Sequence, residues 1–238
     1  MIKFSISLVI PIYNEAEIIE NTLNIFNNIL MDICIDYEII AINDGSTDKT
    51  DEILNNLSCL NPHIKVFHNK TNIGSGASLW RGFQEASKEL IVSNFADRPF
   101  NLSSLKEIIL SVNFDKTDFI VVTRTDRSAN SFYRQLTSKV NYFLIKSLFQ
   151  LDISDFQFVQ IYKNSILQNI KIISTETFVP PELMIKLVSK GYKFQQRCYP
   201  FERRLGGKSK CGHPIKIIKS ITEILKFWFR WKILKKTD

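Results

Sequence analysis

The chain has 238 residues, 45% apolar and 23% charged, with only 8 Gly and 7 Pro, which excludes a disordered, fibrous or collagen-like protein and leaves room for a substantial core. The net charge is +7, but residues 203–238 hold eleven Lys/Arg against Glu223 and Asp238, so that segment carries +9 and residues 1–202 sum to −2. A near-neutral globule with a basic tail points to a partner that carries phosphate, either nucleic acid or a membrane.

The apolar run at 6–12 is shorter than a signal-peptide core with its flanks and lacks a small-x-small cleavage site, so it reads as a first strand. At its carboxyl end stands Pro11-Ile12-Tyr13-Asn14-Glu15. A helical stretch at about 15–31 leads to a strand at 37–43, which ends in Asn43-Asp44-Gly45-Ser46-Thr47-Asp48. Polar groups at the carboxyl ends of adjacent parallel strands face the crevice in which α/β proteins bind ligands. A carboxylate there can accept from a base N–H or a ribose hydroxyl. Taken singly, each motif is also ordinary turn and N-cap chemistry.

A helix at 48–58, a strand at 65–68 and a helix at 76–88 follow, the last preceded by Asn72-Ile73-Gly74-Ser75-Gly76-Ala77. A dinucleotide loop would place its third glycine where Leu79 stands, so a Rossmann cofactor site is excluded. Next come a strand at 90–95, Phe95-Ala96-Asp97-Arg98-Pro99, a helix at 102–112 opened by Asn101, and a strand at 119–123 followed by Arg124. Beyond Arg124 the βα alternation gives way to a long helix at 131–149, an extended run at 156–162, a helix at 181–189 and a strand at 192–199. The long helix carries Arg134 and Ser138 four residues apart, hence on one face.

Arg204-Leu205-Gly206-Gly207-Lys208-Ser209-Lys210 is a cationic, glycine-bearing segment suited to closing over phosphates, although it is not a P-loop. The last element, 214–236, places Ile217, Ile221, Ile224, Leu225, Trp228 and Trp231 at helical spacing, with Lys216, Lys219, Glu223, Lys226 and Arg230 on the opposite arc. Such a helix either lies in a lipid interface or packs on its own domain. No stretch reaches the roughly 18 to 20 uncharged apolar residues needed to span a bilayer. Cys34, Cys59, Cys198 and Cys211 and the three histidines form no zinc spacing, and the thiols read as reduced and structural in a cytosolic protein. No linker or repeat divides the chain, so the expected organisation is one domain, 1–212, followed by the amphipathic helix, 213–238.

In order and spacing the motifs resemble family 2 glycosyltransferases, whose pattern is P-x-Y-N-E, then D-D-G-S-x-D, then N-x-G-x-G-x-A. Arg124, the pair Arg134 and Ser138, and the Arg204–Lys210 run look like the R, R-x-x-x-S and R-x-x-G-x-S-K elements of dolichol-phosphate mannosyltransferases and related bacterial polyprenyl-phosphate glycosyltransferases. The resemblance, which spans residues 7–210, implies a GT-A fold: a nucleotide-binding α/β sandwich with a mixed, mostly parallel sheet. It implies a nucleotide-diphosphate sugar as donor and a polyprenyl phosphate as acceptor, met on the cytoplasmic face of a membrane, and a lipid-phosphate acceptor favours the membrane surface as the partner of the C-terminal helix, 213–238. Pro11, Tyr13, Asn14, Glu15, Asp44, Gly74, Asp97, Arg98 and Lys210 would then serve the donor. Asp97, Arg124, Arg134, Ser138 and Arg204 would serve the transfer, with Arg124, Arg134 and Ser138 on the acceptor phosphate and Arg204 near the donor and acceptor phosphates.

The sequence departs from the family in one place. Where a D-x-D motif would hold Mg2+ or Mn2+ on the diphosphate, it reads Phe95-Ala96-Asp97, so Asp97 is left as the single metal-ligating carboxylate. Reduced metal dependence is therefore expected, with Arg98 offsetting part of the diphosphate charge. Two alternatives remain: a saccharide hydroxyl acceptor, served by Asp126, Asp152 or Asp155 as base, and a sugar-nucleotide-binding membrane scaffold without turnover. Nucleic-acid binding has the charge but no accompanying motif.

Overall fold

The computed structural model describes residues 1–97, 100–124, 132–153, 155–156, 158–199 and 214–233, with backbone only for 132–139 and 214–218. Among these residues one seven-stranded sheet runs in the order β3-β2-β1-β4-β6-β5-β7. Its strands are β1 (Ile6–Ile12), β2 (Tyr37–Asn43), β3 (Ile64–His68), β4 (Leu90–Ser93), β5 (Phe119–Arg124), β6 (Val159–Lys163) and β7 (Phe194–Tyr199). β6 lies antiparallel between β4 and β5, while the other four pairings are parallel. The expected mixed, mostly parallel α/β sheet is therefore present.

β1 and β2 are buried along their whole length, as parallel strands covered on both faces must be. Ile6, Leu8, Ile10 and Ile12 turn to one side, where α1 (Ile19–Ile33), α2 (Thr50–Leu60) and α4 (Leu105–Leu110) cover them. Val9, Ile40 and Ile42 turn to the other, beneath α3 (Ser75–Glu85), α5 (Phe132–Phe149), α6 (Val179–Ser189) and α7 (Pro214–Trp228). In α1, Ile19, Leu23, Phe26 and Leu30 are buried at the spacing of one helix face. Pro180 and Pro181 sit in the first turn of α6, where a missing N–H costs nothing.

The differences from the expected elements lie at their ends. Asn101 caps as expected, accepting from the Ser103 N–H at 3.0 Å, but a 3-10 turn at Leu102–Ser104 precedes a short α4 in place of one helix over 102–112. α7 gives way to a π-turn at Phe229–Ile233.

α7 also shows which reading of its apolar arc applies. Ile224 and Phe227 are buried, and Trp231 stacks on Phe227 at 5.3 Å. Phe227 meets Phe149 of α5 and Phe178, each at 5.5 Å. Ile224, Phe227 and Trp231 therefore pack on the protein's own domain, the second of the two readings of the helix. A second stripe remains outside: Leu225, Phe229 and Ile233 are 49%, 50% and 55% exposed. No described helix is long and apolar enough to cross a membrane.

Candidate active site

The strand order reverses at β1, with β2 and β3 on one side and β4 on the other, so the crevice at the carboxyl end of β1 and β4 is where such a sheet accepts a ligand. Residues 13–15 and 94–97 line its two sides by position. β5 and β7 point the same way as β4, bringing Arg124 to this edge, and β7 ends there at Tyr199.

The two N-terminal motifs are clasped to each other. The Asn14 N–H donates to Ser46 Oγ at 3.0 Å, and the Thr47 N–H donates to Asn14 Oδ1 at 2.7 Å. The Glu15 N–H donates to Thr50 Oγ1 at 3.0 Å and the Ala16 N–H to Asp48 Oδ2 at 3.2 Å. Asn14 adopts φ 53°, a left-handed conformation that Asn tolerates better than most residues. Burial acts to raise the Asp48 carboxyl, but donation from the Thr50 hydroxyl and N–H and from Ala16 outweighs it and holds the group below its ordinary value. These bonds make a rigid rim from two loops 32 residues apart, with Pro11 buried behind it and Tyr13 and Glu15 half-buried upon it.

Asp44 binds the loop ahead of α3. It is 2% exposed, and its Oδ1 accepts from Asn69 Nδ2 and the Ile73 N–H, both at 2.9 Å, while Oδ2 accepts from the Gly74 N–H at 3.2 Å. The carboxylate thus organises the glycine loop ahead of α3. Asn69, which no motif singled out, bridges Asp44 to Ser78 Oγ at 2.8 Å and accepts from Arg81. Its signal was present only as an uncommitted asparagine after β3.

Across the crevice, Asn94 holds the loop that carries Asp97. Its Nδ2 donates to the Phe100 carbonyl at 3.2 Å, and Thr22 of α1 donates to the Ala96 carbonyl at 3.0 Å. Phe95 and Asp97 are half-buried, and Arg98 lies outside the described residues. Among the described residues no three His, Cys, Asp or Glu side chains converge as a metal cage. Asp97 fits a divalent cation only as a single carboxylate ligand, the remaining positions falling to oxygen atoms of a bound diphosphate and to water.

Arg124 ends β5 in a tight cluster. Its Nε and Nη2 donate to Asp155 at 2.6 and 3.2 Å, and the Tyr142 hydroxyl of α5 donates to Asp155 Oδ1 at 2.6 Å. Burial disfavours the guanidinium charge, but Asp155 more than offsets this and holds Arg124 above its ordinary value. Asp155 is fully buried and committed to this cluster, so it cannot reach a substrate proton. Asp152 is exposed and paired with Lys146 at 2.6 Å. Asp126, Arg204 and Lys210 lie outside the described residues, as do the side chains of Arg134 and Ser138, whose backbone is in the first turns of α5.

A sheet of this order with polar loops at its switch point is the GT-A arrangement of enzymes that handle sugar nucleotides. The family model for glycosyl transferase family 2 matches residues 7–174, and the chain belongs to that family. Dolichol-phosphate mannosyltransferase of Pyrococcus furiosus is 30% identical over 56% of this chain and 38% of its own length. Bactoprenol glucosyl transferase of Shigella phage SfV is 26% identical over 71% and 55%. The chain thus spans roughly half or less of these relatives. Glucosyl-3-phosphoglycerate synthase of Mycobacterium tuberculosis, solved with Mn2+, UDP-glucose and phosphoglyceric acid, shares the fold with a TM-score of 0.65 at 14% identity, covering 95% of this chain and 80% of that one.

Proposed function

We propose that this chain transfers a sugar, with inversion, from a nucleotide-diphosphate sugar to a polyprenyl phosphate at the cytoplasmic face of a membrane. The observation that carries the reading is the clasped rim of residues 13–16 and 44–50 facing Asp97 across the switch point of a family 2 chain. Glu15 and Tyr13 stand at the rim to receive the nucleoside, Asn14 and Asp44 hold the rim and the Gly74 loop in place, and Asp97 faces the diphosphate. A divalent cation bound there would supply charge neutralisation of the leaving diphosphate. Phe95 in place of a second carboxylate favours a weak metal requirement, with Arg98 and Lys210 carrying part of the load.

A phosphate acceptor is ionised at neutral pH and needs no strong base. That agrees with a site in which Asp155 is sealed by Arg124 and Tyr142 and Asp152 is paired at the surface. The enzyme's task is then to align the phosphate oxygen behind the anomeric carbon and to stabilise the departing diphosphate. Arg134 and Ser138, with Arg204, are assigned to the acceptor phosphate, since guanidinium groups grip phosphate bidentately and a hydroxyl one turn away adds a donor. Arg124, whose charge is matched by Asp155, is assigned to the same phosphate.

Residues 1–212 are read as the catalytic domain and 213–238 as its lipid-facing helix, now through Leu225, Phe229 and Ile233 with Lys226, Arg230 and Lys232 beside them. The deciding experiment is a screen of labelled sugar nucleotides against a short-chain polyprenyl phosphate, with and without chelator. Formation of a labelled lipid-linked sugar that survives chelator in part is the expected result. Transfer only to saccharide hydroxyls, or nucleotide binding with no turnover, overturns the acceptor assignment.

A further inference from the structure

Residues 171–177, between β6 and α6, form a loop whose backbone donors are taken in sequence by two acids. Glu182 of α6 accepts from the Ile173 N–H at 3.0 Å and the Ser174 N–H at 2.9 Å. Glu223 of α7 then accepts, on its single atom Oε1, from the Thr175 N–H at 2.9 Å, the Thr175 hydroxyl at 3.1 Å and the Glu176 N–H at 3.2 Å. Ser220, one turn earlier, bonds the Thr177 hydroxyl at 3.1 Å, and Lys219 lies 3.6 Å from Glu176. Glu182 is a local partner of the loop, whereas Glu223 reaches it from 48 residues away.

The opposite side of the loop presses on the start of α3. The Ala77 N–H donates to the Thr175 carbonyl at 2.8 Å. Gly74, at φ +99°, leaves that carbonyl only 2.7 Å from where a Cβ would stand, and Gly76 abuts the Glu176 carbonyl with no room for a methyl group. Backbone meets backbone here, so a shift of residues 175–176 must displace the first turn of α3. That turn is the continuation of the Ile73–Gly74 pair held by Asp44.

From this chain of contacts we infer that Glu223 is a positioning residue for the donor site: by gripping residues 175–176 it sets the position of the glycine loop that closes the nucleotide crevice. The inference rests on the reading of that crevice as the nucleotide site. Its energetic basis is that truncating Glu223 leaves two backbone N–H groups and a hydroxyl without their acceptor, while its Oε2 is buried and makes no hydrogen bond among the described residues. Among the described residues the carboxylate therefore serves the loop through Oε1, and a glutamine oxygen can take over that role.

Calorimetric titration of the full chain with UDP and with GDP tests this, because it separates affinity from the fraction of folded sites. Glu223→Ala is expected to weaken binding of the preferred nucleotide roughly tenfold at unchanged stoichiometry, and Glu223→Gln by less than about threefold. Phe114→Leu thins the packing on Phe4 at the end of the sheet remote from the crevice and from α7, and should lower the melting temperature while leaving affinity intact. Unchanged affinity in Glu223→Ala, or an equal loss in Phe114→Leu, overturns the positioning role and leaves the crevice reading standing. Failure of the unaltered protein to bind either nucleotide overturns the crevice reading itself.

Discussion

Glu38 shows how much a single side chain organises at the end of the sheet remote from the crevice. It is 1% exposed, and its Oε1 accepts from Ser7 Oγ at 2.6 Å, the Ser87 N–H at 2.7 Å and Ser87 Oγ at 2.9 Å, while Lys65 lies 2.6 Å from Oε2. Burial acts to raise its carboxyl, but Lys65, Ser7 and Ser87 together hold it below the ordinary value. A depressed carboxylate stabilises the fold above its unfolded-state value, and the benefit is lost as pH falls through its folded-state value. Urea unfolding in a pH series should therefore show stability declining on acidification below the ordinary carboxylate range, with a shallower decline in Glu38→Gln. At neutral pH, Glu38→Ala should cost about 1–3 kcal/mol, since it strands three donors. At the crevice, Asp155→Ala leaves the Arg124 guanidinium in a buried site without its counter-charge, and a loss of about 3–5 kcal/mol is expected in the same assay. Arg124 and Arg134 also illustrate what local sequence does and does not disclose. Each stands at a motif position, but that Arg124 is matched by a buried acid 31 residues on could not be read from the motif.

Among the elements, α3 is held closely by its neighbours. Its glycines face backbone at the first turn and strand side chains further along, so its packing tolerates no added methyl at Gly76. Gly76→Ala should force α3 and residues 175–176 apart and cost about 1–3 kcal/mol of stability, read as a lowered melting temperature, with weaker nucleotide binding accompanying it. The strands and helices of the first half were legible because alternating βα units write their periodicity plainly: 6–12 and 37–43 are seen over the expected spans. The end of the chain was less so. The apolar arc of α7 has the same spacing whether it faces lipid or protein, and only the packing of Phe227 on Phe149 and Phe178 separates the two.

For the molecule as a whole, α7 presents two different arcs. The inner arc of α7 completes the core, and the outer one offers Leu225, Phe229 and Ile233 at every fourth position with Lys226, Arg230 and Lys232 among them. If these side chains enter a lipid interface, each adds about 1 kcal/mol. Co-sedimentation with vesicles containing anionic lipid should accordingly show a loss on the order of a hundredfold in affinity when all three are changed to Ser, at an unchanged melting temperature. Raising the salt concentration should weaken binding of the unaltered chain as well, because the exposed cations are screened. Equal binding by the triple variant would remove the lipid assignment.

Sequence alone determined the class of fold, the edge of the sheet where the polar motifs gather and the family, because parallel-strand periodicity and loop motifs are local and survive without knowledge of partners. It also exposed the defect at Phe95, where an expected carboxylate is missing. Tertiary structure alone decided that Asp44 faces the glycine loop, that Asp155 neutralises Arg124, that Ile224 and Phe227 of the tail belong to the core, and that Glu223 reaches residues 175–176. Each of these joins groups far apart in the chain, and a contact between distant residues is set by how the layers pack over the sheet, which no local pattern records.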